Sequence, residues 1–262
     1  MIPPILLVGF GKMGGAMMTG WREQGLAPSV AVDPNATPAH TDNLRVVARA
    51  ADIPADFAPA AIVLAVKPQV AAETLPFYAR FKGSAMLSIM AGRSIAWLSG
   101  KLGTDAVVRA MPNTPAAIRQ GITVACAGPG IDAVQLALCD RLLAAIGTVV
   151  WTPDEGLIDP VTAVSGGGPA YVFLLAELLE RAAIEQGIPK DMARALARQT
   201  VAGAGALLAA SPEDADVLRR NVTSPGGTTE RALAVMMEPR AWPETVSRAI
   251  EAATLRSREL GG

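Results

Sequence analysis

A chain of 262 residues, 51% hydrophobic and 18% charged, is long and apolar enough to bury a substantial core, which excludes a disordered polymer. Lys+Arg 23 against Asp+Glu 24 leaves a formal net charge of -1 and no electrostatic footprint for nucleic acid. His40 is the single histidine and Cys126 and Cys139 form no CxxC pair, so no metal site is expected and both thiols read as buried in a reducing cytosol.

The amino terminus, MIPPILLVGFG, lacks the basic segment and small-residue cleavage site of a signal peptide. The longest uncharged run, 160–176, is broken by GGGP and makes a poor membrane span. A cytoplasmic protein without membrane or nucleic-acid partners is expected.

In chain order, strand-like runs occupy 5–8, 30–32, 62–66, 86–90, 107–109, 122–125 and 149–151. Amphipathic stretches such as 14–24 and 132–146 lie between several of them. Strands alternating with helices at this spacing predict a mostly parallel sheet covered on its faces, an α/β Rossmann-type domain over residues 1–152. Past Trp151 the alternation ends. A long apolar helix over 171–186 stops at Gly187, and Pro189 opens another to about residue 210. Ser211-Pro212 reads as a helix cap, and a last helix fits 242–260. Residues 153–262 are therefore an all-α domain. Two of its helices are apolar on most faces and need burial on every side, which suggests dimerisation, with a well-packed monomeric bundle as the alternative.

The sharpest motif is Gly9-Phe10-Gly11-Lys12-Met13-Gly14, between the strand ILLV and a helix. Gly9 permits the tight turn, Gly11 lets backbone approach a pyrophosphate, and Gly14 lets helix and strand pack closely. The helix N-terminus offers free N–H groups and positive dipole to the phosphates, and Lys12 adds charge. Asp33 ends the second strand, where a carboxylate would hydrogen-bond the adenosine ribose of NADH and oppose the extra phosphate of NADPH. A unit charge pair near 4 Å is worth about 4 kcal/mol at an effective dielectric of 20, enough to set the preference. Two proline-rigidified loops, Ala65-Val66-Lys67-Pro68 and the one containing Pro112 and Asn113, follow strands and are placed to wall the nicotinamide site.

The helical half has no histidine, and its one lysine is Lys190, at a helix start. Oxidising an alcohol demands a base, whereas a protonated imine is already electrophilic and needs only an orienting hydroxyl or water. The composition favours C=N reduction, with Tyr171 or Glu177 left as alternative acid–base groups. The stretch NVTSPGGTTE (221–230) fits. Pro225-Gly226-Gly227 frees backbone N–H groups for a small carboxylate, with a threonine hydroxyl close to an adjacent ring nitrogen.

These residues resemble the pyrroline-5-carboxylate reductase family over essentially the whole chain, through GFGKMG (9–14), AVKP (65–68), MPNTP (111–115), SGGGPAY (165–171) and NVTSPGGTTERAL (221–233). The resemblance implies reduction of (S)-1-pyrroline-5-carboxylate to L-proline with NADPH or NADH, by a homodimer whose helical domains interlock, either alone or in a higher oligomer of dimers. It implies Thr229 on the substrate nitrogen and Asn221, Val222, Gly227 and Thr228 around the carboxylate. Val8 to Met13, Ala65 to Pro68, and Met90, Ala91 and Gly92 would contact the cofactor. Two positions depart from the family pattern. Asp33 stands where NADPH-preferring members often carry Ser or Thr, and Gly167 stands where many carry Ser. Two other readings compete: a 3-hydroxyacid dehydrogenase, disfavoured because the 171–186 helix carries no lysine, and a non-catalytic dinucleotide sensor.

Overall fold

The computed structural model describes residues 1–41 and 43–261. The first half runs β1 (Ile5–Val8), α1 (Lys12–Glu23), β2 (Ser29–Val32), β3 (Ala39–Thr41), β4 (Leu44–Val47), β5 (Ala61–Leu64), α2 (Ala71–Thr74), β6 (Ala85–Ser88), α3 (Ile95–Leu102), β7 (Val107–Met111), β8 (Gly121–Ala127), α4 (Ala133–Ala144) and β9 (Gly147–Trp151). Every residue of β1, β2, β5, β6 and β7 is buried. Runs such as ILLV and AIVL present apolar groups to both faces, as a parallel sheet covered on each side requires.

The strands form one sheet in the order β3-β4-β2-β1-β5-β6-β7-β8-β9. All neighbours are parallel except β3 with β4 and β7 with β8. The mostly parallel Rossmann-type half is thus as expected, extended by β3 and β4, which the sequence reading did not include. Alternate residues of β1 divide between two cores. Ile5 and Leu7 join Met17, Trp21 and Leu142 on one face, while Leu6 and Val8 join Tyr78, Leu98 and Leu102 on the other. The buried Trp21 indole N–H donates to the Leu142 carbonyl at 2.9 Å, so α1 and α4 are tied without an orphaned donor.

After β9 the chain is helical: α5 (Ile158–Val161), a π-helical turn (Thr162–Gly166), α6 (Gly168–Glu185), α7 (Lys190–Ala210), α8 (Ala215–Asn221), α9 (Thr228–Met236) and α10 (Trp242–Gly261). Ser211 does not cap α8. Pro212 holds it extended at φ -92, ψ 139, so it ends α7, and its hydroxyl accepts from Glu213 N–H; Asp214 precedes α8 instead.

The chain separates into two compact units, Met1–Gly166 with the end of α10 from Ala253, and Gly167–Ala252. The boundary between these units lies at the π-helical turn, and Ile158 is fully buried in the core shared with β7. In the second unit α6 packs along α7, yet Phe173, Leu174, Leu207 and Leu208 are all at least half exposed. The GGGP interruption does not break the helical run. By length and composition alone, Glu155–Glu185 is apolar enough to cross a membrane.

Candidate active site

The glycine loop assigns each glycine a different task. Gly9 has φ +97, and a Cβ there would lie 2.6 Å from the Ala65 carbonyl oxygen, so β1 and the end of β5 meet through it. At Gly14, the third residue of α1, a Cβ would lie 2.3 Å from the Gly9 carbonyl oxygen. Gly11 differs: a Cβ would meet nothing within 4 Å, and the residue is exposed. The side that would face a pyrophosphate is open while the packed side is closed, which fits a dinucleotide phosphate.

Gly11 is the N-cap of α1 in extended geometry and offers no side chain to the first turn. Two other helices of this unit do have side-chain caps: Ser94 accepts from Trp97 N–H at α3, and Asp132 with Gln135 forms a capping box at α4. The amides of Lys12, Met13 and Gly14 therefore remain available to an anion. Phe10 and Met13 lean into the core beside α1, so they would meet a cofactor through backbone, and Lys12 is exposed.

Asp33 faces this loop. One carboxylate oxygen accepts Phe10 N–H at 2.7 Å and the other accepts Asn35 N–H at 2.8 Å. Asp33 keeps this direction although Pro34 follows it. The edge continues through Ala65–Pro68, where Ala65 N–H donates to the Val8 carbonyl, and through Met90–Gly92 at the end of β6. Arg93, which the sequence reading passed over, joins these two loops: Nη2 donates to the Pro68 carbonyl at 3.2 Å and the guanidinium stacks over Trp97. Val8, Gly9, Phe10, Gly11, Asp33, Ala65 to Pro68 and Met90 to Gly92 thus share the carboxyl edge of adjacent parallel strands, the position of ligand crevices in such sheets.

Pro112 and Asn113 follow β7. Both are buried, and the Asn113 side chain donates to the Ser165 carbonyl and accepts Ile122 N–H. That amide stitches the loop after β7 to β8 and to the π-helical turn. A cavity of about 440 Å³ lined by Phe57, Arg80, Phe81 and Ser84 lies at the amino ends of β5 and β6, away from this edge. Both cysteines are free and buried; burial pushes the Cys139 thiol up to about 12 and raises Cys126 too, so neither is a nucleophile near neutral pH.

Beneath the edge lies a polar cluster. Arg109, 5% exposed on β7, donates Nη1 to Glu155 at 3.0 Å and Nη2 to Asp159 at 3.1 Å. Glu155 also accepts Ile95 N–H at 2.7 Å, holding the start of α3. An arginine inside an apolar buried strand needs such partners, and VVRAM is the signal that could have exposed them. Arg109→Ala is expected to cost about 3 kcal/mol by leaving these carboxylates unpaired; the change in urea midpoint at constant m-value measures it.

In the second unit, the 221–230 stretch is the α8–α9 connection. Asn221 and Val222 close α8 and are exposed; Gly227 is the extended N-cap of α9; Thr228 is exposed and Thr229 half-buried in its first turn. The glycine amides are not the free ones. Gly226 N–H donates to Glu230 at 2.8 Å and Gly227 N–H to the Ser224 carbonyl at 3.0 Å, so the turn closes on itself. In the first turn of α9 the amides of Thr228, Thr229 and Glu230 are open, since Arg231 makes the first bond back to Gly227. Gly11 and Gly227 thus produce the same local device, a helix entered from an extended residue with no side-chain acceptor.

The family profile for pyrroline-5-carboxylate reductase dimerisation matches residues 155–260, and one for NADP oxidoreductase, coenzyme F420-dependent, matches 4–92. The pyrroline-5-carboxylate reductase of Pseudomonas aeruginosa is 38% identical over 98% of this chain and 97% of its own. The chain belongs to the pyrroline-5-carboxylate reductase family. It is an oxidoreductase of that family. Among solved structures, the pyrroline-5-carboxylate reductase of Coxiella burnetii superposes with a TM-score of 0.86 at 30% identity, covering 98% of each chain. The Plasmodium falciparum pyrroline carboxylate reductase, determined with NADP bound, superposes at 0.82 with 27% identity, covering 98% of this chain and 100% of its own.

Proposed function

We propose that the chain reduces the C=N bond of (S)-1-pyrroline-5-carboxylate to L-proline, the last step of proline biosynthesis, using NADH or NADPH. The observation that carries this is the pairing of an open dinucleotide turn at Gly11 with a second glycine-capped helix whose first turn bears Thr228 and Thr229. The bound nicotinamide supplies the hydride. The amides of Lys12 to Gly14 hold its pyrophosphate, and the loops at Ala65–Pro68 and Met90–Gly92 flank the rest. At α9 the amides of Thr228 and Thr229 bind the substrate carboxylate, with Asn221, Val222 and Gly227 completing that side. The Thr229 hydroxyl, both donor and acceptor, meets the ring nitrogen in its imine and amine states alike. The hydride ends on the imine carbon and the proton on nitrogen, delivered with solvent.

The exposed apolar faces of α6 and α7 are covered by a second copy rather than by lipid, making a cytoplasmic homodimer of helical domains over residues 153–262. Residue 262 lies outside the described residues. Steady oxidation of NADH or NADPH by purified protein with pyrroline-5-carboxylate tests the activity; its absence would leave the dinucleotide-sensor reading.

Asp33 sets the cofactor preference. Held by Phe10 and Asn35, its charge stands at the end of β2 and opposes an added phosphate. NADH is expected to be preferred, and Asp33→Ser to shift the NADPH/NADH ratio of kcat/KM about tenfold toward NADPH, roughly 1.4 kcal/mol. Both cofactors should also weaken, because Phe10 N–H loses its acceptor. A tenfold NADPH preference in the unaltered chain would refute the assignment.

A further inference from the structure

The last turns of α10 belong to the dinucleotide-binding unit, and they touch the loop that follows β6. Gly92 has φ +69, and a Cβ there would lie 2.9–3.0 Å from the Leu260 carbonyl carbon, Cβ and carbonyl oxygen. One turn earlier, Ser257 is 5% exposed and its hydroxyl donates to Asp159 Oδ1 at 2.8 Å. That oxygen also receives Arg109 Nη2, whose other arm holds Glu155, and Glu155 holds Ile95 N–H. The loop carrying Met90, Ala91 and Gly92 is therefore gripped on both sides. Leu260 closes over its middle, and the Ser257–Asp159–Arg109–Glu155 chain fixes where it re-enters α3.

We propose that the carboxyl end of this chain is a positioning element for the nicotinamide cofactor, with Ser257 and Leu260 its positioning residues. Neither residue need touch the cofactor. Leu260 limits how far the Gly92 backbone can move, and Ser257 sets the height of the last turn against Asp159. A hydroxyl on a helix tail with one buried acceptor gives this grip a defined register. An apolar contact alone would let the helix slide. The proposal rests on the cofactor reading of Met90–Gly92 given above.

The test compares the full chain, Ser257→Ala, Ser257→Thr and a chain ending at Glu259. Kd for NADH is read by fluorescence titration, KM and kcat by steady-state kinetics, and Tm and dimer mass as folding controls. Ser257→Ala and the shortened chain are each expected to raise Kd and KM for NADH about fivefold, with kcat within about twofold and Tm and dimer mass unchanged; Ser257→Thr restores the parent values. Gly92→Ala provides an independent reading. It should weaken NADH more in the full chain than in the chain ending at Glu259, since only the former sets a Cβ against Leu260. Unchanged Kd in both tail variants, or additive effects with Gly92→Ala, overturns the proposal. A full chain that binds and oxidises NADH separates that outcome from failure of the functional assignment; one that binds neither cofactor overturns both.

Discussion

Thr229→Ala is expected to lower kcat for pyrroline-5-carboxylate reduction about a hundredfold, the usual scale for losing one positioned proton-handling group. The Kd for NADH should stay within about twofold, since the dinucleotide turn lies in the other compact unit. Thr229 sits in the first turn of α9, where its backbone N–H is open, and the substitution leaves that amide in place. Carboxylate binding should therefore survive largely intact, and the loss should appear in kcat more than in KM. Helix stability should change by less than about 0.5 kcal/mol, alanine being the better helix former. Thr229→Ser keeps a hydroxyl at the same position and should recover most of the rate. A rate equal to that of the unaltered chain would show that water or another side chain handles the nitrogen. Tyr171 and Glu177, on α6, would then be the next residues to substitute.

The second large effect separates two glycines of one motif. Gly14→Ala forces a Cβ to within 2.3 Å of the Gly9 carbonyl oxygen, a backbone atom that no rotamer change can move. It is expected to destabilise the dinucleotide unit by about 3 kcal/mol, the upper range for overpacking. Gly11→Ala should be silent in the same unfolding measurement, within about 0.5 kcal/mol. Its backbone is ordinary extended geometry, φ -75, and its Cβ direction is empty. Yet that empty direction is where the pyrophosphate must approach the chain, so NADH affinity should fall about tenfold or more. Equal stability losses for the two variants would mean that the open side of Gly11 is not reserved for a ligand.

Much of the dinucleotide half was legible because its signals are local. A four-residue apolar run buried on both faces, followed by glycines at fixed spacing and a helical period, leaves few alternatives to a β–turn–α unit at a parallel sheet. β3 escaped because a three-residue edge strand of exposed residues, AHT, has no pattern to read, and β4 because LRVV is only four residues interrupted by an exposed arginine. The α8–α9 turn was located correctly, but which amides are open was not. Glu230 and the Ser224 carbonyl take the two glycine amides, and that choice depends on how the turn folds back on itself. Nor could the loop after β7 reveal that the Asn113 side chain joins Ser165, 52 residues away, to Ile122.

By itself the sequence determined the kind of chemistry. A glycine-rich turn after an apolar strand and a hydroxyl-rich loop in a half without histidine are statements about residue type at short spacing, and residue type is what sequence records. Only the tertiary structure decided how those pieces are held. The orientation of Asp33 toward Phe10, the division of Gly9, Gly11 and Gly14 into packed and open sides, and the return of Ser257 and Leu260 to the β6 loop all depend on groups far apart in the chain. Such contacts form where the packing of whole elements leaves room for them, and no local pattern carries that information.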